Sequence, residues 1–272
     1  MKLLALIEFT FREGLARKTI IGFAVISTFF LLLGVLAAFL IPTTIEMGNP
    51  QTGGSTIDIT TNPTVVWQVQ AAMTGFINFA ALVLSIFATA SILPNTMEKG
   101  SIDLLLSKPV SRYDILLGKS LGSLLIVFVN VAYFIVGMWL IVGIRTGEWN
   151  MGFLAVSLSI TYTFIILFAP MLVIGISSRS SALTIIVLYV FMFLLSPILE
   201  ARAVILQLAS SDAAKTILDT LYYILPKPDA LGKLSYSLVM HLPLDWMPVW
   251  SSGLFAAVMY ALAAWMFRRK DF

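Results

Sequence analysis

Six long apolar runs, free of charged side chains except near their ends, constrain this chain more than any other feature. A helix needs about 20 apolar residues to cross a bilayer, whereas a barrel strand needs only about ten that alternate. Of the 272 residues, 59% are hydrophobic and 11% charged, against roughly 25% charged in soluble domains. We therefore predict an all-α polytopic membrane protein with six transmembrane helices. Their expected bounds are about 19–41, 69–93, 116–144, 152–176, 182–199 and 249–267.

The segment before the first apolar run, residues 1–18, has an apolar stripe at helical spacing. The residues that form the stripe are Leu3, Ile7, Phe11 and Leu15. Charged side chains occupy the other faces, as in a helix that lies along a membrane surface. A cleaved signal peptide is the alternative, but its apolar region would begin only after Lys18 and would be too long. We expect an N-terminal interfacial helix.

Basic residues are distributed unequally between the two sides that six spans create. Twelve of the 17 lysines and arginines fall on the side of the termini, and five on the other. Because basic residues are retained in the cytoplasm, both termini and the loop after the second span are predicted to be cytoplasmic. The segments 42–70 and 200–247 are then outside. Alternation at 55–61 predicts a strand or hairpin in the first. In the second, short amphipathic helices would rest on the membrane or dip into it.

A charged segment separates the second and third apolar runs. Residues 97–119, MEKGSIDLLLSKPVSRYDILLGK, contain seven charged side chains, each costing about 2.5–3.5 kcal/mol at mid-bilayer. The segment is therefore predicted to be a water-facing loop. Ile102, Leu105 and Leu106 follow helical spacing and Pro109 ends the run, which predicts a short amphipathic helix. Such a helix could dock a soluble partner or lie on the membrane, and periodicity does not separate the two.

Gly118-Lys119-Ser120 matches the end of a phosphate-binding P-loop. The complete motif needs a glycine five positions before Gly118, where this chain has Tyr113, and it needs a preceding strand. The simpler interpretation is that Lys119 anchors the third span at the interface, while Gly118 and Gly122 allow close helix approach.

The chain offers little for catalysis or for metal binding. It has no cysteine and a single histidine, His241, so a structural zinc site is not expected. A site built from His241 and Asp245 would lack a nucleophile elbow. No basic stripe with interleaved aromatic residues points to nucleic acid. We predict no catalytic residue, metal ligand or cofactor in this chain.

Polar side chains inside the apolar runs are few and uncharged. Those with the strongest hydrogen-bonding capacity are Asn78, Ser85, Asn130, Thr161 and Thr163. Such residues more often join helices than bind substrates. Ion-driven transporters usually carry a carboxylate inside the membrane, so transport here would have to be driven through the cytoplasmic loop.

The cytoplasmic loop resembles that of a known family. The sequence EKGSIDLLLSKPVSR at 98–112, followed by ILLGK at 115–119, is similar to the loop between spans two and three of ABC-2-type permeases, the membrane subunits of type V ABC exporters. The resemblance extends to the N-terminal helix, the six spans, the helices between spans five and six and the basic tail. Permeases of this size in that family include those of copper-delivery systems for nitrous oxide reductase maturation.

The resemblance implies a single permease domain, residues 1–272, with a coupling helix at about 98–107 that inserts into a groove of a cytoplasmic ATPase. Two permeases, identical or similar, would sit on two ATPase subunits in a prokaryotic inner membrane. ATP and Mg would bind to the ATPase. The residues implied in this contact, or in the turn back to the membrane, are Glu98, Lys99, Gly100, Ile102, Asp103, Leu105, Leu106, Pro109 and Arg112.

The leading functional hypothesis is a non-catalytic permease subunit that moves its substrate, as an exporter, when the ATPase hydrolyses ATP. The alternative is a mechanotransmission module, in which residues 200–247 act on a periplasmic partner and no solute crosses the membrane. A membrane enzyme that uses His241 and Asp245 is the third hypothesis.

Overall fold

The structure, a computed structural model, describes residues 2–16, 18–40, 44–47, 55–58, 62–97, 111–208 and 212–270. Its helices are α1 (Lys2–Ala16), α2 (Thr19–Leu40), α3 (Pro63–Thr89), α4 (Ile92–Thr96), α5 (Arg112–Thr146), α6 (Met151–Ser178), α7 (Ser181–Val190), α8 (Ser196–Glu200), α9 (Arg202–Leu208), α10 (Asp212–Ile224), α11 (Pro228–Val239) and α12 (Met247–Arg269). A π-helical turn, Phe191–Leu195, joins α7 to α8.

Six helical segments among the described residues are long and apolar enough to cross a membrane, which confirms the predicted all-α polytopic fold. They are α2, α3 with α4, α5, α6, α7 with α8, and α12. The strands β1 (Thr44–Met47) and β2 (Ser55–Asp58) form a small antiparallel hairpin between α2 and α3. Strand β2 lies within the alternating stretch 55–61, whereas its partner β1 lies before that stretch.

Polar residues outside the apolar runs set several helix ends. The Asn62 side chain accepts a hydrogen bond from the Thr64 N–H, and Pro63 occupies the first turn, so α3 begins before its apolar run. Ser111 and Asp114 form a reciprocal capping box at the start of α5. Gly147, with φ of 77°, ends α5 in the left-handed conformation that glycine adopts readily. These helices are therefore longer than the apolar runs they contain.

Helix α6 is the centre of the bundle. Of its apolar span 67% is buried, against 11% for α2. Phe153, Ile160, Phe164 and Leu167 have no exposed surface. These residues and the other buried side chains of α6 occupy several of its faces, because α5, α11 and α12 pack around it. Of these neighbours, α5 and α11 contribute residues to the candidate sites.

Candidate functional site

The predicted ATPase contact falls almost wholly outside the described residues. Of the implied residues, those that lie there are Glu98, Lys99, Gly100, Ile102, Asp103, Leu105, Leu106 and Pro109. The structure does describe Arg112 and both flanks of the segment 98–110. These flanks show what that segment is attached to.

The flank before the segment is embedded in the bundle. Ile92, Thr96 and Met97 are all buried. Pro94 packs against Gly175 of α6, where its Cδ would lie 3.6 Å from an added Cβ. The short helix α4 therefore fixes residue 97 to the central helix.

The flank after the segment ties three helix ends together. Arg112 donates hydrogen bonds to the carbonyl oxygens of Arg268 (3.0 Å) and Lys270 (2.7 Å) at the end of α12. The Lys270 ammonium in turn donates to the carbonyl oxygen of Ile176 near the end of α6. The start of α5 and the ends of α6 and α12 are thus joined at the end of the bundle that carries both termini.

Helix α1 packs on the first turns of α5 at two glycines. An added Cβ at Gly118 would lie 2.5 Å from the Leu6 Cβ, and one at Gly122 would lie 2.6 Å from the Thr10 Cβ. The predicted close approach at these glycines is confirmed. The face of α1 that packs is Leu6, Thr10 and Gly14, which is adjacent to the predicted apolar stripe.

Lys119 is buried beside these glycines. Its ammonium forms an ion pair with Glu13 of α1 and lies 4.7 Å from the centre of the Phe9 ring. The lysine is only 2% exposed. Because residues 118–120 lie inside helix α5, with their backbone amides committed to the helix, they do not form a phosphate-binding loop.

A second candidate site lies towards the opposite end of the bundle, where α11 inserts between the spans. Leu231, Ser235 and Val239 form its buried face. The Ser235 and Ser159 hydroxyls are 2.8 Å apart, and Asn150 donates to the Val239 carbonyl oxygen at 3.0 Å. Helix α11 therefore runs alongside α6 instead of resting on the surface, the other arrangement that the sequence left open.

The inserted helix reaches the middle of a neighbouring span. A Cβ added at Gly232 would lie 2.8 Å from Nδ2 of Asn78, and Asn78 is close to the midpoint of α3. The first turn of α11 carries Asp229. Charged side chains thus enter the bundle from a segment that does not cross it, a feature that the apolar runs do not reveal.

A cleft of about 740 Å³ opens between α3, the π-helical turn, α8 and α11. Its charged lining consists of Glu200, Asp229 and Lys233. Lys233 forms an ion pair with Glu200, and the Ser196 hydroxyl donates to Oδ2 of Asp229 at 2.6 Å. The hydrogen bond to Glu200 raises the pKa of Lys233. The cleft is therefore polar at one wall.

A cluster of cations and tyrosines surrounds the start of α11. Arg202 pairs with Asp219 at 3.0 Å and stacks 3.6 Å from the centre of the Tyr222 ring. Lys227 is buried, donates to the Ser251 hydroxyl at 2.8 Å and lies 4.8 Å from the same ring. Burial, followed by repulsion from Arg202, lowers the pKa of Lys227. These contacts hold the start of α11 to α9, α10 and α12.

The polar residues of the spans behave differently from one another. Asn130 accepts a hydrogen bond from Ser27 of α2 at 2.7 Å, which confirms an interhelical role. Thr161 and Thr163 bond instead to carbonyl oxygens of their own helix. Oδ1 of Asn78 and Oγ of Ser85 are buried without a hydrogen-bond partner among the described residues.

No hydrogen bond joins His241 to Asp245 among the residues that the structure describes. The His241 ring packs 4.7 Å from the Trp67 ring. Asp245 accepts a hydrogen bond from the backbone N–H of Met247 at 3.0 Å. Within the part of the chain that the structure describes, no group of three or more His, Asp or Glu side chains could hold a metal ion.

Six helical segments long and apolar enough to cross a membrane define a multi-pass membrane protein. A family profile for ABC-2 family transporter proteins matches residues 4–272. The chain belongs to this family, whose members are permease subunits of ABC transporters and work with an ATPase partner. No curated protein matches the chain.

Proposed function

We propose that the chain is the permease of an ABC exporter and moves its substrate when a separate ATPase subunit, docked on residues 98–110, hydrolyses ATP. The observation that supports this proposal best is the frame around that segment. Met97 is buried on one flank, and Arg112 bonds to α12 on the other. A push on the segment would therefore reach α4, α5, α6 and α12 together.

Within the segment, the apolar residues Ile102, Leu105 and Leu106 would fill the groove of the ATPase. Glu98 would make polar contacts at its rim, and Arg112 would hold the returning chain to α12. ATP and Mg would belong to the ATPase. The support is the match to the family together with the apolar spacing of the segment.

The proposed assembly has two permeases on two ATPase subunits in a prokaryotic inner membrane, with both termini in the cytoplasm. The basic residues support this orientation. Arg112, Arg268 and Lys270 belong to the end of the bundle that carries the termini, whereas Lys227 and Lys233 belong to the cleft end. Residues 1–272 would act as one domain.

The proposal is tested by purifying the tagged chain from its own membranes and measuring ATP hydrolysis by the proteins that accompany it. We expect an ATPase subunit to co-purify. Leu105→Asp should abolish its association, because a charge in an apolar groove lacks a partner. Leu242→Asp, an equal change at an exposed outer residue, should have no effect. Unchanged association in Leu105→Asp would refute the docking site, and ATP hydrolysis by the isolated chain would refute the division of labour.

A second candidate is the mechanotransmission module. Helix α10 exposes Ile217, Tyr223 and Ile224, a surface that could contact a periplasmic protein. If this is the function, Tyr223→Asp should release such a protein, and reconstituted vesicles should move no solute during ATP hydrolysis. If vesicles that contain the Tyr223→Asp variant still move solute during ATP hydrolysis, that result favours the exporter instead.

A further inference from the structure

The cleft beside α11 has more negative than positive charge. Two carboxylates, Glu200 and Asp229, face a single ammonium, that of Lys233. Lys233 is engaged by Glu200, while Asp229 receives one hydrogen bond from Ser196. The lining therefore has one more carboxylate than ammonium groups.

The rest of the lining includes apolar and aromatic side chains, among them Phe79, Met192 and Phe193. Aromatic faces attract cations as well as apolar groups.

We propose that this cleft binds an organic cation with N–H donors, an ammonium group joined to an apolar body. The inference rests on the proposed permease function and names the class of substrate. The ammonium would bond to Glu200 and Asp229, and the apolar body would lie against Phe79 and Phe193. A volume of about 740 Å³ suits a ligand of drug size and is far larger than a bare metal ion needs.

The test is direct binding to the full-length protein in detergent, with a dansyl-labelled alkylamine as the probe. Its trimethylammonium analogue keeps the charge without N–H donors, and its alcohol analogue has neither. We expect the primary amine to bind best and the alcohol worst. Glu200→Gln and Asp229→Asn should each weaken binding of the amine by roughly 10- to 100-fold, since each removes a charged hydrogen bond. Equal binding of the amine and the alcohol would overturn the proposal.

A variant with the opposite expected sign separates binding from folding. Lys233→Gln removes the competitor for Glu200 and should tighten binding of the amine by several-fold. Glu148→Gln, the same loss of charge outside the cleft, should change nothing. If Lys233→Gln weakens binding as much as Glu200→Gln does, the charges only maintain the fold and the proposal fails.

Competition identifies the source of the ammonium. Displacement of the probe by phosphatidylethanolamine, but not by a short soluble amine, means a lipid substrate, and the reverse means a free amine. Either result supports the proposed chemistry. Displacement by sodium ions alone would overturn it.

The assay also separates the two proposals. An ATPase that co-purifies and depends on Leu105, with no amine binding, would refute the substrate class and leave the permease function intact. Amine binding without any associated ATPase would refute the permease function and leave the proposed binding of amines in the cleft intact.

Discussion

Two of the ion pairs that join helices of the described structure differ in their surroundings. Lys119 and Glu13 join α5 to α1, with side chains only 3% and 19% exposed. Lys233 and Glu200 join α11 to α8 beside the cleft, with side chains 72% and 27% exposed. The first pair is sealed by helix packing, whereas the second lies beside open space. The same pairing can therefore hold a structure together in one place and leave charge available to a ligand in another.

Helix packing explains why the inner pair is sealed. Gly118 and Gly122 bring α1 against α5, and Lys119 between them is only 2% exposed. At the cleft, α11 is held on its other side by α6 and by the cluster around Lys227, and the wall that faces α8 stays open. Burial, and not the identity of the ion pair, then decides its energetic weight.

The largest effect is expected for Lys119→Met. Removing the ammonium breaks an ion pair whose lysine is buried, which costs about 3–5 kcal/mol. Unfolding in mixed micelles measures the loss. The double variant Lys119→Met with Glu13→Gln should recover most of it, because the carboxylate that lost the ammonium is then neutral. A loss below about 1 kcal/mol in the single variant would contradict a sealed pair.

A smaller effect is expected for Gly122→Ala. The new Cβ would lie 2.6 Å from the Thr10 Cβ, so α1 must shift, and overpacking of this kind costs about 1–3 kcal/mol. Gly22→Ala is the matched control in α2, where nothing lies within 4 Å of an added Cβ. The control should be neutral or stabilising by up to about 1 kcal/mol, since alanine favours helix. Equal stability changes in the two variants would remove the case for close packing of α1.

The smallest effect on stability is expected for Glu200→Gln. Its partner Lys233 is mostly exposed, and exposed pairs contribute about 0–1 kcal/mol. The variant should therefore unfold almost as the unmodified protein does, in the same micelle assay, while its binding of the alkylamine is impaired. A stability loss as large as that of Lys119→Met would show that the cleft pair is sealed too, and the contrast between the two sites would be lost.

The apolar runs predicted the class of fold because crossing a bilayer requires a fixed length of apolar helix. The alternation at 55–61 predicted a strand or hairpin for a similarly local reason, and β2 lies there, but its pairing with 44–47 was not predicted. The packing of α1 through Leu6, Thr10 and Gly14 was not predicted, since it depends on which distant helix presents glycines. Gly118 and Gly122 were recognised as contact residues, but the sequence does not say which helix they contact.

The candidate sites divide in the same way. The segment 98–110 stands out in the sequence because it places charges between apolar runs, and its docking role stays a prediction. The cleft was missed because Asp229 and Lys233 lie outside the spans along the chain and approach Glu200, at the end of the fifth span, only when α11 inserts. A signal was present in the four-residue spacing of Leu231, Ser235 and Val239, which marks a buried helical face. Short charged helices are, however, ordinarily assigned to the surface.

The central claim is that a cytoplasmic ATPase drives this permease through residues 98–110. The chain has no cysteine, so a single introduced cysteine can be labelled uniquely with a membrane-impermeant maleimide. Leu105→Cys should be labelled in inside-out vesicles and protected when the ATPase subunit is bound. Trp246→Cys, at the opposite end of the bundle, should be labelled only in right-side-out vesicles. Labelling of Leu105→Cys from the exterior, or without protection by the ATPase, would contradict the account.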